Sequence, residues 1–544
     1  NMVFSDVEAL GDATETNNGS VLSSNALFKT KTAQRDYGTL ELNQFVLNGS
    51  KSILPVSPAD IAFWSADKSN ATCLFYTNPV FTSAFATTHT SAGITLTFID
   101  DYPIEIKVTW YTVAGNQIAQ KTFYPDSLEY YCKNQVQYYG KITIEFVKTR
   151  NPYSRIKMQY VLYGAELQWG DTLVKDASVV EEIDVTGSVI SINTADVQIV
   201  DANNNFDIGN EDGEWKSIEK KQKITLTETK DNNSIPCGVF YMDKWSFSKN
   251  VAKFSLKDAI GIMDSLTFDC GTIYVNQKAG VILDSIFSCC GVVDYSISAD
   301  VYNITLSGWL AIQTCRSAMQ KVLFAIGAVA DCSRTSTVKI YKPDRYLKYT
   351  VSPERKFMGK TTVSMDSYVS GISLSYSQYV LQSEYSQIFS GTLQKGDTKI
   401  SFTAPYLYTT ISVSAGTIKE VKTNYVIVTM ADTGTCVITG QTYKANTFTY
   451  LKSVPYIESG EIETVKKFSG ETLCNTELLP NIAQSLLDYY SLRKKVSMKY
   501  LIGNEQVGNW ISIVGTNNNY AISLVEKQTI DLTGGFISTA TCRG

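Results

Sequence analysis

The sequence predicts a mainly β protein with minor α+β character: several antiparallel β-barrel or sandwich domains plus a small helix-containing domain. Three observations predict it. Apolar and polar residues alternate with period two in many short segments, as at Ile94, Leu96 and Phe98 against Thr95 and Thr97. Tyrosine, which favours strands and buries its ring while its hydroxyl stays satisfied, occurs 33 times. Charged residues make up 19%, below the roughly 25% of an average soluble protein. Hydrophobic residues make up 44% of the 544. That is enough apolar side chain for the cores of about three to five domains.

Residues 1–36 are polar, with an NNGS segment at 17–20, and read as an extended N-terminal arm. Residues 37–165 read as a β-sandwich. Ile106, Val108 and Trp110 share one face of a strand over 104–111, a turn falls at 113–116, and 118–124 returns. Further strands are expected over 141–147 and 156–162, a spacing that suits an antiparallel sandwich. Residues 166–275 read as a β-barrel. They contain a long strand signal over 189–200, Ile224 and Leu226 alternating with threonines, and Ala252, Phe254 and Leu256 alternating with polar residues. Strands polar on one face pack as barrels or sandwiches rather than as buried parallel sheets.

Residues 276–354 carry the α+β domain. Ala279, Ile282, Leu283, Ile286 and Phe287 make a helical stripe with Asn276 as its expected cap. Cys315, Ala318, Met319, Val322 and Ile326 make a second stripe, ended by Gly327. A hairpin is expected from 328–332 through Ser333, Arg334 and Thr335 to Val338 and Ile340. Residues 355–475 return to β, with strands at 398–403, 409–414 and 425–430. Residues 476–544 supply a helix beginning near Pro480, with Leu479, Ile482, Ala483, Leu486 and Tyr490 on one face. A strand carrying Val496, Met498 and Tyr500 follows, then strands over 519–525 and 530–541.

The net charge of −5 and the short basic runs, Lys220, Lys221 and Lys223 and Arg493, Lys494 and Lys495, argue against nucleic-acid recognition. The apolar stretch 322–330 is far short of the ~20 residues a bilayer requires, so no membrane span is expected. The opening NMVFSD lacks the basic start and apolar core of a cleavable export signal. Eleven cysteines without a CxxC, with Cys289 and Cys290 adjacent, read as reduced buried thiols rather than a zinc framework.

No catalytic, metal or cofactor residue is expected, and the chain reads as no enzyme. Its one histidine, His89, reads as a loop residue before a strand. Gly359, Lys360 and Thr361 imitate the end of a phosphate loop, but Glu354 stands where that loop needs glycine. Residues 201–205 (DANNN) imitate a calcium loop, but Phe206 occupies the glycine position and Asp212 the twelfth. The acid pairs Asp100 and Asp101, Glu181 and Glu182, and Glu211 and Asp212 are adjacent in sequence. Neighbours on a strand point to opposite faces, so such pairs do not converge. Trp64, Tyr76, Trp110, Tyr130 and Tyr131 could stack on a sugar; Trp110 and Trp64 read as core.

Residues 104–111 (IEIKVTWY), 123–132 (FYPDSLEYYC) and 151–157 (NPYSRIK) resemble the discoidin-like jelly-roll domains embedded in tail proteins of Firmicute prophages, over about 39–165. Residues 177–182 (ASVVEE), 238–245 (GVFYMDKW), 254–258 (FSLKD), 315–327 (CRSAMQKVLFAIG) and 530–538 (IDLTGGFIS) resemble phage tail-tip hub proteins, over 166–544. The resemblance implies a homotrimeric structural hub in the virion tail of a phage, prophage or tailocin, assembled in the bacterial cytoplasm. Its implied partners are itself, the distal tail protein, the tail tube, the tape measure and a spike or fibre. The rival expectation is a receptor- or glycan-binding tail protein acting on a cell-surface glycan through residues 37–165.

Overall fold

The computed structural model describes residues 2–5, 9, 13–17, 21–22, 63–99, 101–167, 172–210, 215, 218, 223–230, 233–457, 459–514, 520–533, 535 and 537–544. The protein is mainly β with a minor α+β part, as the alternation predicts. It divides into two compact units.

The first unit takes residues 1–173, 199–235 and 242–254. Its spine is two long antiparallel strands, Val80–Phe98 and Glu129–Thr149. Glu129–Thr149 also pairs with Pro103–Tyr111, which continues through the expected turn into Gln117–Phe123. The far half of Val80–Phe98 pairs with Lys157–Leu167. Alternate residues face inward, so Ile106, Val108 and Trp110 join Ile94, Leu96, Phe98, Ile142, Ile144 and Phe146 in one core. Most of the expected arm lies outside the described residues. Its described parts are strands: Met2–Ser5 bridges Lys157–Leu167 and Lys223–Lys230, and Ala13–Asn17 pairs with Val80–Phe98.

The second unit takes residues 174–198, 236–241 and 255–544. A curled antiparallel sheet runs through Val174–Glu182, Tyr520–Asp531, Ile537–Arg543, Lys494–Leu501 and Lys356–Met365. Val496, Met498, Tyr500, Ile511, Ile513 and Val525 fill its inside. The helices Ala279–Cys290 and Cys315–Ile326 pack together through the two expected stripes. Gly327 ends the second helix in the left-handed conformation. Gly308 sits at φ 138 where the Thr305–Trp309 strand passes Leu473–Cys474; a Cβ there would lie 2.0 Å from the Thr472 carbonyl oxygen. The Val329–Asp331 to Val338–Tyr341 hairpin is present as expected. So is the helix begun by Pro480, Leu479–Ser491.

Four local expectations are corrected, three of them because a side chain captures backbone groups that a regular element needs. The strand expected over 189–200 is Thr194–Val200. Before it, the Asp184 carboxylate accepts the Thr186 and Val189 N–H groups and the Ser188 hydroxyl, closing a turn. Asn276 is no helix cap: it has φ 49 inside the Ile273–Lys278 strand, at an irregularity in the ladder to Thr305–Trp309, and Lys278 precedes the helix. Only Ser412–Val413 of 409–414 is a strand, because the Thr410 hydroxyl donates back to the Leu407 carbonyl and closes a short 3-10 turn. The run 530–541 is broken: the Asp531 carboxylate takes the Thr533 N–H and hydroxyl, and the chain reverses before Ile537–Arg543.

Candidate functional site

Among the described residues, those weighed for chemistry do not gather into a reactive group. His89 lies on the Val80–Phe98 strand and not in a loop; its β-branched neighbours Thr87, Thr88 and Thr90 suit a pleated strand. It is buried, edge-on to Phe85 at 5.1 Å and tilted to Tyr139 at 6.1 Å. Its Nε2 is 3.3 Å from the Thr87 hydroxyl. Gly359, Lys360 and Thr361 lie on the Lys356–Met365 strand, where Gly359 at φ 68 marks an irregularity opposite Lys494–Leu501. Asp201 spends its carboxylate on the Phe206 N–H at 2.8 Å, an internal turn. Glu211, Asp212, Lys220, Lys221 and Asp100 lie outside the described residues, as does the side chain of Trp64.

The aromatic candidates separate as well. Trp110 is core. Tyr130 and Tyr131 are consecutive on one strand, opposite Leu96 and Thr95, so their rings leave opposite faces. Tyr76 is fully exposed.

Glu181 and Glu182 also diverge. Glu182 is exposed and pairs with Lys527 at 2.8 Å. Glu181 is buried, where Arg334 grips it with Nε at 2.9 Å and a second nitrogen at 3.3 Å, and the Gln528 amide donates to it. Arg334 also donates to the Glu505 carbonyl at 2.9 Å. The Glu505 carboxylate accepts both arms of Arg355, at 2.8 and 2.7 Å, and the Gly503 N–H at 2.7 Å. Burial would raise the Glu505 carboxyl, but Arg355 and the Gly503 N–H hold it below the usual carboxylate range. Tyr500 and Ser538 complete the set by donating to Gln528. These charges pair with one another inside the curled sheet and lock its strands in register. A buried pair whose partners are satisfied serves specificity of structure more than chemistry.

A second cluster lies at the edge of that sheet. Arg543 donates to Glu526 at 2.8 Å, to Asp366 at 2.6 Å and to the Leu492 carbonyl at 2.8 Å, with Tyr489 under its guanidinium at 4.7 Å. An open cleft of about 190 Å³ is lined by Lys342, Arg345, Ile482, Tyr489 and Trp510. It falls below the roughly 300–1,000 Å³ of ordinary small-molecule sites.

One element carries unsatisfied contact area. Gly371–Leu393 and Gly434–Ser453 pair antiparallel from Gly371 opposite Ser453 to Leu393 opposite Gly434. At about 3.4 Å per residue such a ribbon runs to roughly 75 Å. Its base is anchored: Ile372 and Leu374 pack on the Leu479–Ser491 helix, and Val465–Glu471 adds a parallel strand. Its tip is anchored by Leu393, Cys436 and Ile438 in a second core with Val426 and Val428. The tip is tied back to the helical part by Asn424, which is fully buried. Asn424 accepts from Trp309 Nε1 at 2.7 Å and donates to the Gly271 and Leu310 carbonyls at 2.9 Å each.

Between these anchors, from Ser375 to Thr392, no residue of the longer strand is buried. Val380, Leu381 and Tyr385 on it, and Phe448 and Leu451 on its partner, are exposed. Its covering is partial: Tyr376 packs at the base core, Ile388 and Phe389 at the tip core, and Tyr379 stands edge-on to Trp309 at 5.9 Å. This ribbon is the surface that most needs a partner. Sequence reasoning missed it, although the run 371–392 (GISLSYSQYVLQSEYSQIFSGT) is rich in serine, tyrosine and glutamine with no charge before Glu384.

No family model and no curated protein matches the chain. Among solved structures it is similar to a tail protein of Neisseria meningitidis MC58, at 9% identity and TM-score 0.40, over 68% of this chain and 92% of that one. It is similar to the 43 kDa tail protein of prophage MuSo2 from Shewanella oneidensis, at 9% identity and TM-score 0.42, over 69% and 95%. It is also similar to prophage tail protein gp18 from Listeria monocytogenes EGD-e, at 8% identity and TM-score 0.38, over 68% and 94%.

Proposed function

We propose that this chain is a structural subunit of a phage or phage-like tail tip: a trimeric hub that adapts the tail tube and distal tail ring to a central spike or fibre. Two supports are independent of each other. The motifs at 177–182, 238–245, 315–327 and 530–538 resemble tail hub proteins. The titratable residues inside the curled sheet are paired with one another, while the ribbon exposes apolar side chains along its middle.

The observation that carries the reading is the exposed apolar group Val380, Leu381 and Tyr385 in the middle of the ribbon. Subunits of an obligate ring bury large surfaces, commonly more than about 2,000 Å². A closed cyclic assembly repeats one contact around an axis. A long two-sided ribbon supplies such a contact without any pocket. Native mass spectrometry of the full chain tests this: three copies are expected at micromolar concentration, and a monomer that joins no particle contradicts it.

One observation favours a second reading, a glycan-binding role for residues 37–165. Tyr76 presents its whole ring to solvent in that region, and aromatic faces are where sugars stack. On that reading the full chain binds a defined set of sugars on a glycan array, and Tyr76→Ala removes the signal. An unchanged array pattern in the variant sets it aside.

A further inference from the structure

Three chemistry-bearing side chains far apart in sequence meet beside the helical part of the second unit. The Thr267–Phe268 strand pairs with Gln313–Thr314, and Asp269 and Cys270 follow just past that ladder. The helix Ala279–Cys290 sets its last turn, with Cys289, beside them. One carboxylate oxygen of Asp269 and the Sγ atoms of Cys270 and Cys289 all lie within 4.8 Å of one another. Cys270 is exposed and Cys289 half-buried, so the group has an entry path from solvent. Cys315, the first residue of the following long helix, is buried in the core.

We propose that Asp269, Cys270 and Cys289 bind a thiophilic divalent cation of the zinc type, with water in the fourth position. Zinc takes sulfur at about 2.3 Å, which sets tetrahedral ligands about 3.8 Å apart. With the three ligand atoms within 4.8 Å of one another, closing on the metal brings each pair together by at most about 1 Å. The thiols now make weak bonds: Cys270 Sγ to the Asp269 carboxylate at 3.5 Å and Cys289 Sγ to the Thr267 carbonyl at 3.6 Å. Binding replaces both S–H bonds with metal–sulfur bonds and releases two protons to solvent.

The charge count is favourable. Two thiolates and one carboxylate carry three negative charges against two on the cation. Lys399, paired with Asp269, and Lys422, whose field acts on Cys270, offset the remainder. Thiolate sulfur selects soft cations such as zinc over magnesium or calcium, which prefer oxygen. The adjacent pair Cys289 and Cys290 does not chelate as a pair; Cys289 alone serves, and the Cys290 thiol donates to the Phe287 carbonyl at 3.4 Å.

The test is cobalt titration of the full chain, reduced and stripped with chelator. One cobalt per chain is expected, with intense thiolate-to-cobalt absorption in the near ultraviolet that zinc displaces and magnesium does not. Cys270→Ser, at an exposed thiol, and Asp269→Asn are expected to lose that absorption while melting like the parent. Cys73→Ser, at a thiol outside the three ligands, is expected to keep it. Should Cys289→Ser fail to fold, the other two variants decide the matter. No cobalt absorption, or absorption that survives in Cys270→Ser, overturns the proposal.

Discussion

Asp258 shows how one buried carboxylate can be both a structural fastener and a liability. It caps the short Ala259–Met263 helix by accepting the Gly261 N–H at 2.8 Å. Its other oxygen takes the Asn193 N–H at 2.7 Å and the Cys332 thiol at 3.1 Å. Complete burial raises its carboxyl to about 6, against the lowering effect of those donors. An aspartate unfolded near 3.9 and folded near 6 binds its proton more tightly in the native state. Its contribution is therefore fully present below about pH 4 and is lost as pH rises through 6. Asp258→Asn is expected to flatten that window in thermal melts taken between pH 4 and 7. It is also expected to cost about 1–3 kcal/mol, because an amide cannot accept all three donors. A variant melting with the parent's pH slope contradicts this assignment. Glu505 has the opposite sign: held low, its pairing with Arg355 is lost only as pH falls below the usual carboxylate range.

At the scale of elements, the contrast lies between segments covered on one side and segments covered on none. Helical stripes were legible because Ile282, Leu283, Ile286 and Phe287 recur on one buried face. The Lys494–Leu501 strand was legible for the same reason with period two. The ribbon was not, because alternation appears in a sequence only where one face is dry and the other wet. In its middle, Val380 on one face and Leu381 and Tyr385 on the other are exposed in the single chain. The corrected turns at Asp184, Thr410 and Asp531 failed for another reason: a single carboxylate or hydroxyl diverted the backbone, and its partners lay only a few residues away. The candidate cation group was hidden because Cys289 lies 19 positions after Cys270 and the Ala279–Cys290 helix brings it back beside it. If the ribbon is a contact surface, Leu381→Lys with Tyr385→Lys is expected to leave the melting of the single chain within about 0.5 kcal/mol, as exposed substitutions do. The same pair is expected to shift sedimentation from trimer toward monomer. Unchanged sedimentation at equal concentration removes the ribbon from the interface.

For the molecule as a whole, composition was the more reliable guide. Abundant tyrosine and short alternating segments predict the mainly-β architecture that the structure has. Each unit has its own core, one around Trp110 and Phe146 and others around Tyr500, Phe287 and Val428. Among the described residues no helix is long and apolar enough to cross a membrane. The central claim is that the ribbon is covered only when copies assemble. Hydrogen exchange read peptide by peptide over 375–392 in the assembled protein, beside the Leu381→Lys, Tyr385→Lys variant, addresses it directly. Slow exchange in the assembly and exchange faster by at least about tenfold in the variant are expected; equally fast exchange in both would contradict the account.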